Sequence, residues 1–102
     1  MGYSAISGDE TMTSLSRNAI RRRLEQEGLT PYAWSNGPGD HYPAHTHLYH
    51  KVLYCLEGSI VFHVEGQSVT LMPGDRLEIG AETLHAADVG PQGVVCMEAA
   101  KD

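Results

Sequence analysis

Gly39-Asp40-His41-Tyr42-Pro43-Ala44-His45-Thr46-His47-Leu48-Tyr49-His50-Lys51 is dense in histidine, and His45 and His47 are spaced for a shared task. Residues i and i+2 of a β-strand project to the same face, so one strand can present two imidazoles to one metal ion. His85 lies far downstream, beyond the turn signal Pro73-Gly74-Asp75, where a neighbouring strand can bring a third imidazole alongside. His-x-His by itself reads better as two ordinary polar residues near the mouth of a barrel. The third histidine tips the reading towards a metal. Neutral imidazoles suit zinc, iron, nickel and copper, and suit magnesium or calcium poorly.

The surrounding sequence is written for strands. From Pro31 onward, short runs of β-branched, aromatic and aliphatic residues alternate with Asn36-Gly37-Pro38-Gly39, Glu57-Gly58, Glu65-Gly66, Pro73-Gly74, Gly80 and Gly90-Pro91. That rhythm predicts an all-β sandwich or barrel with a turn at each signal. In Lys51 to Leu56, Val52, Tyr54 and Leu56 lie on one face and Lys51, Leu53 and Cys55 on the other. Both faces are largely apolar, so the strand is expected to be buried on both sides. A barrel this small has one interior. Its outer face needs a cover, either an N-terminal helix or a second copy of the chain, and a homodimer is expected.

Ahead of the strands, residues 1–13 are small, polar and aperiodic, and read as an unstructured tail. A helix is predicted over 14–28, capped by Ser14 or Ser16. Leu15, Ala19, Ile20 and Leu24 form its apolar stripe, and Gly28 stops it. The 102 residues suffice for a single domain, with 41% hydrophobic and 20% charged residues. A formal net charge of −6 disfavours nucleic-acid and anionic-membrane partners. The cluster Arg17, Arg21, Arg22 and Arg23 reads as a solvated helix face. No apolar run is long enough to span a membrane, and no signal peptide opens the chain. Cys55 and Cys96 are too few and too far apart for a disulfide framework. A cytoplasmic protein is the expectation.

The spacing of these residues resembles the cupin superfamily of small metal-binding barrels. Its first motif runs Gly, five residues, His-x-His, three or four residues, Glu, six residues, Gly. Gly39, His45, His47 and Gly58 fall in register, with Lys51 at the glutamate position. Its second runs Gly, five residues, Pro-x-Gly, two residues, His, three residues, Asn. Gly74 and His85 fit, while Gly80-Ala81-Glu82 replaces Pro-x-Gly and Val89 replaces Asn. The resemblance spans residues 31–98 and implies a jelly-roll type antiparallel β-barrel with a short N-terminal α-helix. It also implies that His45, His47 and His85 are metal ligands.

Lys51 stands where the resemblance implies a fourth, anionic ligand. Three roles are open to it. The amine could lose its proton under burial and nearby positive charge, pair with Glu98 or Asp75, or hold an anionic ligand in a metal-free pocket. His41, four residues before His45, would share its face on a regular strand and could add a ligand or substrate contact. Tyr42 is a candidate pocket wall. Cys55, on the Lys51 face, is a small core residue or an additional ligand. His50 and His63 fall on the opposite faces and are read as non-ligands, and Arg76 as exposed or paired with Glu78 or Asp75. Two functions follow. One is a non-catalytic domain that binds a divalent transition metal and a small polar ligand. The other is a metal-dependent dioxygenase, isomerase or decarboxylase acting on a small oxygenated substrate.

Overall fold

The computed structural model describes residues 2–6 and 17–101. Within them the order is β1 (Tyr3–Ile6), α1 (Arg17–Gln26), β2 (Tyr32–Asn36), β3 (His41–His45), β4 (Lys51–Val64), β5 (Gln67–Leu71), β6 (Arg76–Ile79) and β7 (His85–Ala100). All pairings are antiparallel. The sheet runs β1-β6-β4-β7-β2, with β3 also on β7 and β5 also on β4. This is a jelly-roll β-barrel organised around two long central strands, all-β as the turn rhythm predicts and of the type that the resemblance implies. Among the described residues, no helix is long and apolar enough to cross a membrane.

Two turn signals do not turn. Glu57-Gly58 lies inside β4 and Gly90-Pro91 inside β7, where the ladder between them shifts register at Cys55/Glu57 and Gly58/Ile60. These shifts are bulges, and they reverse which residues point inward. Leu53 and Cys55 face the barrel before the bulge, and Ile60 and Phe62 face it after. Gly58 permits this with φ at 75°, and a Cβ there would stand 2.0 Å from the carbonyl oxygen of Gly93. Only glycine fits. By contrast, Glu65 and Gly66, at φ 52° and 76°, form the two-residue hairpin between β4 and β5 that the sequence announces.

The interior holds Leu53, Ile60, Phe62, Leu71, Leu77, Ile79, Val89, Val94 and Cys96, with Cys55 opposite Cys96 across the β4/β7 ladder. A second cluster lies outside the barrel, where Ile20 and Leu24 of α1 seat on Val52, Tyr54 and Met97. The helix of the same chain therefore covers the outer face, and burying that face does not call for the expected second copy. Each fully buried aliphatic side chain contributes roughly 2 kcal/mol. The helix ends in a Schellman arrangement, in which the Leu29 amide donates to the Leu24 carbonyl (3.1 Å) and the Gly28 amide to Glu25 (2.9 Å), with Gly28 at φ 83°. Arg76 then ties its end to the barrel, donating to Glu27 (2.7 and 2.8 Å), Glu78 and the Tyr54 hydroxyl. The capping serines 14 and 16 lie outside the described residues.

The tail expectation needs correction. Tyr3–Ile6 is not unstructured but forms β1, paired residue for residue with Ile79 to Arg76. Backbone pairing on the exposed edge of β6 is available to almost any short sequence, so periodicity gives no warning of it.

Candidate metal centre

The β4/β7 ladder and β3 bring the three histidines together at one end of the barrel. His85 opens β7 in phase with Ala87 and Val89, so its ring points inward and is only 2% exposed. His45 closes β3 directly opposite His85, and His47 follows in the loop leading to β4. The rings stand close, with centroids 4.5 Å apart for His45 and His85, 4.8 Å for His45 and His47, and 5.2 Å for His47 and His85. One ring nitrogen from each lies within 4.8 Å of the others, a spacing that could hold one metal ion.

Hydrogen bonds decide which nitrogens face inward. The Nδ1–H of His45 donates to the Pro43 carbonyl at 2.7 Å, and that of His85 to the Thr83 carbonyl at 2.9 Å. Both Nε2 atoms therefore carry lone pairs, as in metal-bound histidines oriented by a backbone carbonyl. The His45 and His47 Nε2 atoms approach to 3.2 Å. His85 Nε2 is buried and has no hydrogen-bond partner among the described residues. An orphaned buried acceptor costs about 1–3 kcal/mol unless something satisfies it. A cation at this point would do so, and the donor set fits zinc, iron, nickel or copper. Burial, and then the positive charge of Lys51, lower the basicity of His47. Burial likewise lowers that of His85 and outweighs the opposing Thr83 bond. Both effects hold the rings in the neutral, ligating form.

Lys51 does not reach for Asp75. It pairs with Glu98, its Nζ standing 3.5 Å from Oε1, and both side chains are largely buried. Glu98 is itself held by the Tyr32 hydroxyl (2.8 Å, to Oε2) and the Trp34 indole N–H (3.0 Å, to Oε1). The pocket thus has a carboxylate, supplied by β7 rather than by residue 51. Period-two alternation carried this signal: with Cys96 inward, Glu98 two residues on must share its face. The aromatic walls could have been read in the same way from Tyr32 and Trp34 on β2. The pocket encloses about 240 Å³, walled by Trp34, Tyr42, Tyr49 and Phe62 around the histidines. Burial raises the pKa of the Tyr42 and Tyr49 hydroxyls and keeps them protonated.

The remaining candidates divide. Tyr42 lines the pocket, its ring edge-on to Trp34 at 6.2 Å and its hydroxyl bonded to Asn36. His41 does not. The register of β3 slips between Tyr42 and His45, so His41 leaves the face of His45 and pairs with Asp88, which also takes His63. Cys55 faces the interior but lies away from the histidines. Each two-residue step along a strand covers about 6.6 Å, and Cys55 is two such steps from Lys51; its thiol donates towards the Glu57 and Gly58 carbonyls at the bulge. His50 lies outside the pocket, on Glu78 at 2.8 Å.

Residues 34–91 match the cupin domain family, and the chain belongs to it. It is 44% identical over 87 residues to quercetin 2,3-dioxygenase of Bacillus subtilis (strain 168), a match covering 83% of this chain and 24% of that protein. The chain thus spans about a quarter of the curated relative. Its fold is also that of an RmlC-like cupin from Shewanella frigidimarina (TM-score 0.64, 24% identity, 71% of this chain and 64% of that one). DMSP lyase DddQ from Ruegeria pomeroyi DSS-3 shares it as well (TM-score 0.67, 24% identity, 72% and 38%). At these identities the two structures speak for the fold alone.

Proposed function

We propose that this cupin binds one divalent transition metal, zinc, iron, nickel or copper, through His45, His47 and His85, and admits a small oxygenated ligand to it. One observation carries the reading: the buried Nε2 of His85 has no hydrogen-bond partner among the described residues, in a group where one ring nitrogen from each of three histidines lies within 4.8 Å of the others. A bound ion of this kind acts as a Lewis acid at coordination positions the protein leaves open. The chain's own residues keep His47 and His85 neutral, wall the pocket with aromatic rings and fix a carboxylate and an ammonium beside them. Elemental analysis of protein purified without a histidine tag should find about one metal per chain. His85→Ala and His47→Ala should each weaken binding at least about 100-fold. Absence of metal after supplementation would overturn the reading.

A second reading, oxygen-dependent catalysis on a flat polyoxygenated substrate, is favoured by the 44% identity to a protein named quercetin 2,3-dioxygenase. Oxygen uptake by iron-, nickel- or copper-loaded protein with quercetin and simpler polyphenols tests it. Uptake that His47→Ala abolishes supports an enzyme. Binding without uptake identifies a binding domain.

A further inference from the structure

Lys51 is the residue that departs most from the family pattern, and its surroundings give it a job. Its ammonium has three N–H donors. Among the described residues its one charged partner is Glu98 at 3.5 Å, well beyond the 2.7–2.9 Å of a charge-assisted hydrogen bond. Glu98 does not depend on it, because Tyr32 and Trp34 each donate to that carboxylate at 3.0 Å or less. The lysine therefore lines the pocket with most of its hydrogen-bonding capacity unused.

Charge sharpens the point. Lys51 and Glu98 cancel, so a divalent ion on three neutral imidazoles leaves the pocket with two net positive charges. A glutamate at position 51, beside Glu98, would cancel the ion completely. Exchanging it for lysine converts a pocket balanced for a neutral ligand into one that gains by accepting an anion, and low-dielectric walls strengthen the attraction.

We propose that Lys51 makes this pocket selective for an anionic ligand, a small carboxylate or enolate on an aromatic or conjugated ring. Lys51 Nζ pairs with the ligand's negative oxygen, and Trp34, Tyr42, Tyr49 and Phe62 enclose its ring. The proposal rests on the metal reading for the pocket's two net positive charges and on Lys51 for its selectivity.

The test uses benzoate and its neutral isostere benzamide. Trp34, the single tryptophan of the chain, lines the pocket and reports binding by fluorescence, with calorimetry as a second readout. Zinc-loaded protein should bind benzoate about tenfold or more tighter than benzamide. Lys51→Met should cut that preference at least about fivefold, and Glu98→Gln, by freeing the ammonium, should raise benzoate affinity. The double variant Lys51→Met/Glu98→Gln leaves no unpaired buried charge. It guards against misfolding of the single variant and should also lose the preference.

Metal-free protein separates the two readings. If zinc does not bind but metal-free protein still prefers benzoate through Lys51, the metal reading falls and the role of Lys51 stands. A preference unchanged in both lysine variants, or no preference with or without zinc, overturns the proposal.

Discussion

The two faces of β4 and β7 are built from alternate residues of the same strands, yet among the described residues the buried side-chain polar atom without a hydrogen-bond partner, His85 Nε2, lies on the inner one. Outside, Val52, Tyr54 and Met97 receive Ile20 and Leu24, and Arg76 is fully engaged by Glu27, Glu78 and Tyr54, with its guanidinium 5.4 Å from the Tyr54 ring centroid. Arg76, Glu27 and Glu78 pair with one another there, and the result is adhesion of a helix. Inside, the bulge end is lined by apolar side chains, while the opposite end gathers His45, His47, His85, Lys51 and Glu98. There a buried imidazole nitrogen lacks a partner and an ammonium is only loosely paired. Saturated polar groups hold structure together; unsaturated ones mark where a ligand is expected.

The contrast can be broken at its origin. Gly58→Ala would drive a Cβ into the Gly93 carbonyl and destroy the bulge that sets both faces. The expected outcome is loss of cooperative folding by circular dichroism, and a native-like melt would show that the phase reversal has another cause. Next, Leu24→Ala should cost about 3 kcal/mol in urea denaturation, by loss of transfer energy and creation of a cavity. The folded fraction should still bind metal as wild type does, because the helix seats on the other face. Altered metal stoichiometry would show that the faces are not independent.

Acid should loosen the outer face by its own route. The hydrogen bonds from Arg76 hold the Glu27 carboxyl below its ordinary value of 4.5. Burial pushes Glu78 upward, but His50 and Arg76 outweigh it, and its net shift is also downward. Carboxylates lowered in the folded state add stability above their unfolded pKa, and that stability is lost as pH falls through the folded one. In metal-free protein, stability should therefore fall below about pH 4.5, and Arg76→Met should flatten that limb. An unchanged limb in the variant would place the acid sensitivity elsewhere. The smallest effect is expected at Glu82, which occupies the glycine position of the second motif with φ at 61°. Glu82→Gly should relieve left-handed strain and shift stability upward by about 1 kcal/mol or less. Destabilisation would show that the Glu82 side chain contributes to the loop over the histidines.

Much of this is legible in the sequence. The turn rhythm after Pro31 and the distant His85 are periodic features to which strand geometry gives meaning, whereas His47, expected to share a strand face with His45, reaches the cluster from the loop that follows β3. Lys51 paired with Glu98, one of the two partners the sequence offered. His41 would face the pocket only on a regular strand, and the register of β3 shifts between Tyr42 and His45 because bulges follow from how neighbouring strands fit rather than from the residues of one strand. The same holds at Glu57-Gly58, where a glycine that commonly marks a turn instead bends a continuous strand. Strand β1 escaped notice because edge pairing uses backbone groups that every sequence possesses.

The sequence by itself determined the fold family, the three histidines that cluster and the odd charge at position 51, since motif spacing and residue identity are properties of the chain. Tertiary structure decided that Glu98 rather than residue 51 supplies the carboxylate, that α1 covers the outer face, and that His85 Nε2 is left without a partner. Each of those outcomes depends on which atoms of distant segments meet in the folded chain, and no local pattern encodes that meeting.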